Sequence, residues 1–286
     1  ANEPMAAPPY DQVSGTSIAC AHVAGGAAVL LQLHPDWSHD DIKAALMATA
    51  SLTPALGSGT PNISATVLDR GAGLVDLAAA SQAALVFDPP SIALVNAVPG
   101  VTRTFELAAR DLRLQGSVRK YVVMGEVDDD LIRLNLPDSV SVRPGERVTV
   151  NLQVTIAPDA QPGDYGGEIF FSTESDLVHL PLWVQVREPL PLADVLLIDN
   201  DFSNFESYLD YSYYVLQALD DLGLTAVHWD ADQHYANPQT IPNIEELGRY
   251  DIIIWLTGDN RHPDGYYVLS TPLTSADLEI LARYLD

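Results

Sequence analysis

The chain has 286 residues and a formal net charge of −25 at pH 7, from 39 acidic against 14 basic side chains. Such a balance excludes nucleic acid as a partner, because phosphate neutralisation needs a basic face, and it argues equally against an anionic membrane surface. A hydrophobic content of 47% is ample for two or three packed domains, and the single cysteine, Cys20, excludes an internal disulfide framework.

Three textures follow one another, with expected boundaries at 1–87, 88–188 and 189–286. The first is helical. Ser14-Gly15-Thr16-Ser17 is a tight turn, and from Ile18 to Leu33 nearly every residue is apolar or small. That composition predicts a helix apolar on all sides, running through a core, with Cys20 and His22 packed inside it. Polar interruptions argue against any bilayer span, and no basic segment with a signal-peptide core opens the chain. Ser38 ahead of Asp40 and Asp41 predicts a capped second helix, with Ile42, Ala45, Leu46 and Thr49 at helical spacing. Leu56 to Asn62 reads as a turn-rich loop, and Asp76 to Leu85 as a third, shorter helix.

From Phe87-Asp88-Pro89-Pro90 the period becomes two. Arg103–Leu107, Val118–Met124, Arg147–Val154 and Glu168–Ser172 alternate or are β-branched, with turns at Pro144-Gly145 and Pro162-Gly163-Asp164. Strands at this spacing predict a β-sandwich of about 100 residues. Asp128-Asp129-Asp130 is a candidate structural calcium cluster, although an exposed loop is the commoner meaning of such a run. No other cofactor is expected.

After the stiff linker Glu188-Pro189-Leu190-Pro191 the pattern turns to alternating strand and helix. Val195–Asp199, Thr225–Trp229 and Tyr250–Leu256 read as strands; Phe205–Leu222, closed by Gly223, and Ser275–Leu285 read as helices. Alternation of this kind predicts a parallel α/β sheet, flavodoxin-like in type and incomplete at its end. Ligands of such sheets bind beyond the carboxyl ends of the strands. Asp199, Asn200, Asp201, Thr257, Gly258, Asp259 and Asn260 should gather there. The pair Asp199/Asp201 could hold a cation or could simply be turn and cap residues.

The candidate catalytic residue is Ser17. A hydroxyl in the first turn of a buried helix sits among backbone N–H groups without intrahelical partners, at the positive end of the macrodipole. Its own N–H could help hold a developing oxyanion. A lone serine there is usually just a cap. His22 lies five residues later, on a different face of the helix, and is not expected to be a general base. His34 and His39 flank Pro35 and Asp36 and read as surface residues; Asp11 has no histidine beside it.

The string from Gly15 to Gly25 closely resembles the serine signature of the subtilisin family, Gly-Thr-Ser-Met-Ala-x-Pro-His-Val-Ala-Gly, with Ile18 in place of the methionine and Ala21 in place of the proline. Leu68 to Asp76 resembles the Gly-x-Gly-x-Val-Asp segment that closes catalytic domains of that family. The resemblance implies that residues 1–87 are the helical C-terminal piece of a subtilisin-like α/β catalytic domain. It also implies a serine endopeptidase with Ser17 as nucleophile, acting on protein or peptide substrates and secreted or displayed at the cell surface. In the family the catalytic Asp, His and oxyanion Asn precede the serine, and sixteen residues cannot contain them. The expectation is therefore an inactive fragment of an active parent; the alternative is a non-catalytic binding or spacer module. Val142–Glu146 and Pro158–Gly167 resemble the fibronectin-type-III-like domain that often follows such catalytic domains. The last region resembles, more weakly, a glutamine-amidotransferase-like module, but no cysteine is present there to act as its nucleophile. The all-apolar helix should be hidden by another copy of the chain, by the sandwich or by a preceding chain.

Overall fold

The structure is a computed structural model, and it describes residues 15–52, 67–201, 210–231, 241–257 and 275–285. The whole of the turn-rich loop at 56–62, with Ser14 and Asp11, falls outside the described residues. So do Gly258, Asp259 and Asn260.

Four helices come first: α1 (Thr16–Leu33), α2 (His39–Ala48), α3 (Val67–Arg70) and α4 (Leu77–Ala80). Sequence dictates α2 directly. Ser38 Oγ accepts the Asp41 N–H at 3.1 Å while Asp41 Oδ2 accepts the Ser38 N–H at 2.9 Å, a reciprocal cap that satisfies two backbone donors. The face it buries contains Ile42, Ala45 and Ala48. Ala48 enters the sandwich core, while Ile42, Ala45 and Leu46 join Leu30, Trp37, Ala80 and Leu112 in a smaller cluster.

α1 departs from expectation. Within this chain it does not run through a core: of its eighteen residues only Gly26 and Leu30 are buried, and Val29, Leu31 and Leu33 are roughly half exposed. The reason is geometric, since α2 and α4 meet one strip of the helix and α2 spends its other contacts on the sandwich. Gly26 marks a close approach, where a Cβ would lie 2.6 Å from a Leu77 methyl. Cys20 and His22, expected inside, are exposed. Contrary to the reading that no segment could span a bilayer, α1 has the length, about 27 Å, and the mean hydropathy, 1.5, of a spanning helix. The third predicted helix also shrinks to the single turn α4, capped by Asp76. Leu85, Val86 and Phe87 become a strand because sheet pairing overrides helical tendency there.

Nine strands follow: β1 (Leu85–Asp88), β2 (Ile92–Ala97), β3 (Thr102–Asp111), β4 (Arg119–Val127), β5 (Ile132–Asn135), β6 (Ser139–Val142), β7 (Arg147–Ile156), β8 (Gly163–Ser172) and β9 (Leu177–Val186). They form a four-stranded sheet, β1-β3-β7-β5, and a five-stranded sheet, β2-β9-β8-β4-β6, which share one core. Alternation along β7 places Val150, Leu152, Val154 and Ile156 inside and their neighbours outside. β1 starts three residues ahead of the expected boundary at 87/88. The Asp128–Asp130 run is exposed between β4 and β5, with Asp129 Oδ1 accepting the Leu131 N–H.

The helical piece is tied to this sandwich by polar contacts. Asp41 Oδ1 and Oδ2 accept from Arg110 of β3 at 2.6 and 2.8 Å. Arg70 of α3 pairs with Glu168 of β8 at 2.7 Å. Glu168 also bonds His179 Nδ1 of β9 at 2.9 Å, and His179 Nε2 reaches the Ala50 carbonyl at 3.0 Å. Beside them Ser51 and Leu74 pair as an antiparallel bridge. Gly73 there has φ +125°, and a Cβ would sit 2.5 Å from the Ser51 carbonyl oxygen, so glycine is required.

The last region holds β10 (Val195–Asp199), α5 (Ser212–Asp221), β11 (Ala226–Asp230), α6 (Ile244–Leu247), β12 (Ile252–Leu256) and α7 (Ser275–Leu285). Its three strands are parallel in the order β11-β10-β12. The helix expected over Phe205–Leu222 is shorter at its start: Asp210 and Tyr211 are not helical and α5 begins at Ser212, with 202–209 outside the described residues. The linker is clamped rather than loose: Glu246 accepts the Leu190 N–H at 2.8 Å, and the Tyr250 hydroxyl donates to the Pro191 carbonyl. Asn243 donates to the carbonyl of Asn96, a residue of left-handed φ (+53°) at the irregularity in β2.

Candidate functional site

Ser17 stands in the first turn of α1, behind Gly15, whose carbonyl accepts the N–H groups of both Ile18 and Ala19 at 3.1 Å. Gly15 is the N-cap at φ 147° and ψ 158°, a conformation open to glycine and strained for most other residues. The chain therefore enters the helix through a sharp turn that leaves the serine hydroxyl exposed at its mouth. An exposed hydroxyl beside first-turn N–H groups is chemically suited to attack a carbonyl and to face the oxyanion that results.

The described residues bring no imidazole onto it. His22 is about 140° around the helix from Ser17, and its Nδ1 is engaged with the Ile18 carbonyl at 2.8 Å. His34, read from sequence as a surface residue, is partly buried: it stacks on Trp37 at 3.9 Å between ring centres and bonds the Ser81 carbonyl at 2.8 Å. His39 is exposed and faces Asp40. His179 is committed to Glu168 and Ala50, and His228 to Asp199. Ser17 thus has a nucleophile's seat without a base among the described residues.

A second gathering of chemistry lies at the carboxyl edge of the parallel sheet. Asp199 ends β10 and Asp201 follows it, both buried, and the Asn200 N–H is fixed on the Leu256 carbonyl at 2.8 Å. Thr257 is exposed just beyond β12. Two members were missed in the sequence. Asp210 sits just ahead of α5, where its Oδ1 accepts the Ser212 N–H at 2.8 Å. His228 of β11 donates to Asp199 Oδ2 at 3.0 Å, and that hydrogen bond lifts the imidazole above the ordinary histidine range against the opposing effect of burial. The signal for both was topological: in a parallel sheet the loops after successive strands return to one edge. The Arg70–Glu168–His179 chain was missed as well, although a glutamate within the run Glu168–Phe171 could have drawn attention.

Comparison with known proteins bears on the first site. Residues 2–77 match the family model described as Subtilase family. Relatives from Arabidopsis thaliana include Subtilisin-like protease SBT4.8, 44% identical over 79 residues, and Subtilisin-like protease SBT1.6, 41% identical over 83 residues. Each alignment covers 28% of this chain and 11% of the relative. Subtilisin-like protease SBT1.5 is 41% identical over 92 residues, covering 30% of this chain and 12% of its own length. The chain thus spans about a tenth of the relatives it matches. Among solved structures, a FixG-related protein from Vibrio parahaemolyticus covers 31% of this chain and 81% of its own, at 14% identity and a TM-score of 0.26, a likeness too slight to define a fold. Residues 2–77, with Ser17 at the entrance of α1, are thus similar to a segment of the subtilase family.

Proposed function

We propose that this chain is part of a secreted or cell-surface subtilisin-like serine endopeptidase in which Ser17 is the nucleophile. The observation that carries the reading is the coincidence of the subtilase-family match with an exposed serine at the mouth of α1, behind the strained turn at Gly15. In this mechanism Ser17 Oγ attacks the carbonyl carbon of a peptide, its proton passes to an imidazole, and the imidazole delivers it to the leaving amine. The imidazole, the carboxylate that orients it and an asparagine donor to the oxyanion come from outside these residues. The Ser17 N–H adds a second donor at the helix terminus.

Two features support a larger catalytic domain. The apolar flank of α1 left in solvent, with Val29, Leu31 and Leu33 about half exposed, is of a kind soluble monomers rarely expose, which suits a helix built to be covered. The polar clamp through Asp41, Arg70 and Glu168 suits a sandwich that serves as a spacer or buttress for that domain. The sandwich itself reads as fibronectin-type-III-like and the parallel sheet as an amidotransferase-like module without amidase chemistry.

A fluorophosphonate probe tests the reading. In the longer protein it should label Ser17, and Ser17→Ala should abolish labelling and lower peptidase turnover by about 10⁴-fold or more. The 286-residue chain alone should remain unlabelled. Labelling of that chain would place the base within it, and a longer protein that resists labelling would leave a binding or spacer module that keeps a serine motif it does not use.

A further inference from the structure

The carboxyl edge of β10 has the makings of a site unrelated to Ser17. β10 is the central strand, and the chain leaves it to one side for β11 and returns on the other for β12, so its end is the point where the strand order reverses. Such points open a crevice for ligands. Asp199, Asp201 and Asp210 converge there, one carboxylate oxygen of each lying within 4.8 Å of the others. Asp199 and Asp201 are 3% and 1% exposed.

Each carboxylate also accepts a hydrogen bond from a neighbouring donor. Asp199 Oδ2 takes the His228 ring N–H at 3.0 Å, Asp201 Oδ2 the Tyr211 N–H at 3.0 Å, and Asp210 Oδ1 the Ser212 N–H at 2.8 Å. Asp199 Oδ1, in contrast, is buried and accepts no hydrogen bond. A buried carboxylate oxygen without a donor is costly, and three carboxylates crowded together are more so. His228, even when protonated, offsets one of three negative charges.

We propose that Asp199, Asp201 and Asp210 form a binding site for a hard divalent cation at the carboxyl edge of the parallel sheet. The cation supplies two positive charges and the missing partner of Asp199 Oδ1. An all-carboxylate donor set selects magnesium, calcium or manganese over zinc or copper, which favour nitrogen and sulfur ligands. The Asp128–Asp130 run does not compete as a site, because it is exposed and has no orphaned buried oxygen. The inference is independent of any peptidase activity.

Terbium luminescence tests it on the 286-residue chain freed of metal by chelation. Trp229 and Trp255 both stand in register with Ile198, one residue before Asp199, and so flank the site as sensitisers. Tryptophan excitation should give saturable terbium emission at one ion per chain, displaced by calcium or magnesium. Asp199→Asn and Asp210→Asn should each weaken it more than about tenfold, while Asp128→Asn leaves it unchanged. Asp210 is exposed, so its variant decides the matter if Asp199→Asn fails to fold. The proposal is overturned if emission does not saturate, if magnesium and calcium both fail to displace terbium, or if Asp210→Asn binds like the parent chain.

Discussion

Two apolar segments of this molecule meet opposite fates. Val195–Asp199 is buried at every residue, hydrogen-bonded on both sides by parallel strands. Thr16–Leu33 is apolar on nearly every side, yet only Gly26 and Leu30 are covered. Both sequences ask for a core, and only one finds it among the described residues. Burial is a property of a pair of surfaces: β10 has its neighbours downstream in the same chain, whereas α2 and α4 are too short and too committed elsewhere to enclose α1. The segment that carries the candidate nucleophile is thus the one whose packing this chain leaves open.

That contrast can be broken by measurement. The largest effect is expected in the covered regions: Leu182→Ala, at a fully buried position of β9, should lower stability by about 2–5 kcal/mol in denaturant unfolding. A loss under about 1 kcal/mol there would mean that the sandwich core is looser than its burial implies. Next comes the seam between the helical piece and the sandwich. Glu168→Gln keeps the shape but removes the charge shared by Arg70 and His179, and should cost about 1–3 kcal/mol, with amide exchange rising in 67–74 before it rises in β8.

A pH series sharpens the same seam. Burial opposes ionisation of Asp41, but the Ser38 N–H and hydroxyl and the Arg110 guanidinium more than offset it and hold its carboxyl below the ordinary value. A group depressed in the folded state stabilises fully above its unfolded value, about 4, and that contribution fades as pH falls through the lower folded value. The stability gap between the parent chain and Asp41→Asn should therefore be constant at neutral pH and close below about pH 4. A gap that persists unchanged at acid pH would assign Asp41 a purely steric role.

The smallest effect is expected in α1. Leu31, 48% exposed, can be changed to Ala in the 286-residue chain with a stability change within about 0.5 kcal/mol. A cost like that of Leu182→Ala would show that another copy of the chain covers the helix in solution. Sedimentation of the parent chain alongside the variant would identify that copy directly.

Local patterns were legible where the interacting groups are near in sequence. The Ser38–Asp41 cap lies within one turn, so the start of α2 could be read residue by residue. The five-residue run Val195–Asp199 announced a buried strand through its composition alone. The alternation from Arg147 to Val154 gave most of β7. The short helix expected up to Leu85 was misjudged because β3, more than fifteen residues further on, claims Leu85–Asp88 as its partner. Cys20 and His22 are exposed rather than inside for a similar reason: an apolar neighbourhood in sequence does not supply an apolar neighbour in space. The candidate sites divide the same way. Ser17 was visible because its turn, its helix and its family resemblance are contiguous, while Asp210 and His228 were not, since eleven and twenty-nine positions separate them from Asp199.

By itself the sequence determined where the turn bearing Ser17 lies, which stretches are apolar and with what period, because these depend on side-chain chemistry and on bonds within a turn or two. Tertiary structure alone decided which apolar faces are covered, that Arg70, Glu168 and His179 meet at one seam, and that three aspartates converge on one sheet edge. Those outcomes depend on which distant backbones lie side by side, and long-range pairing of that sort leaves no mark on any single stretch of chain.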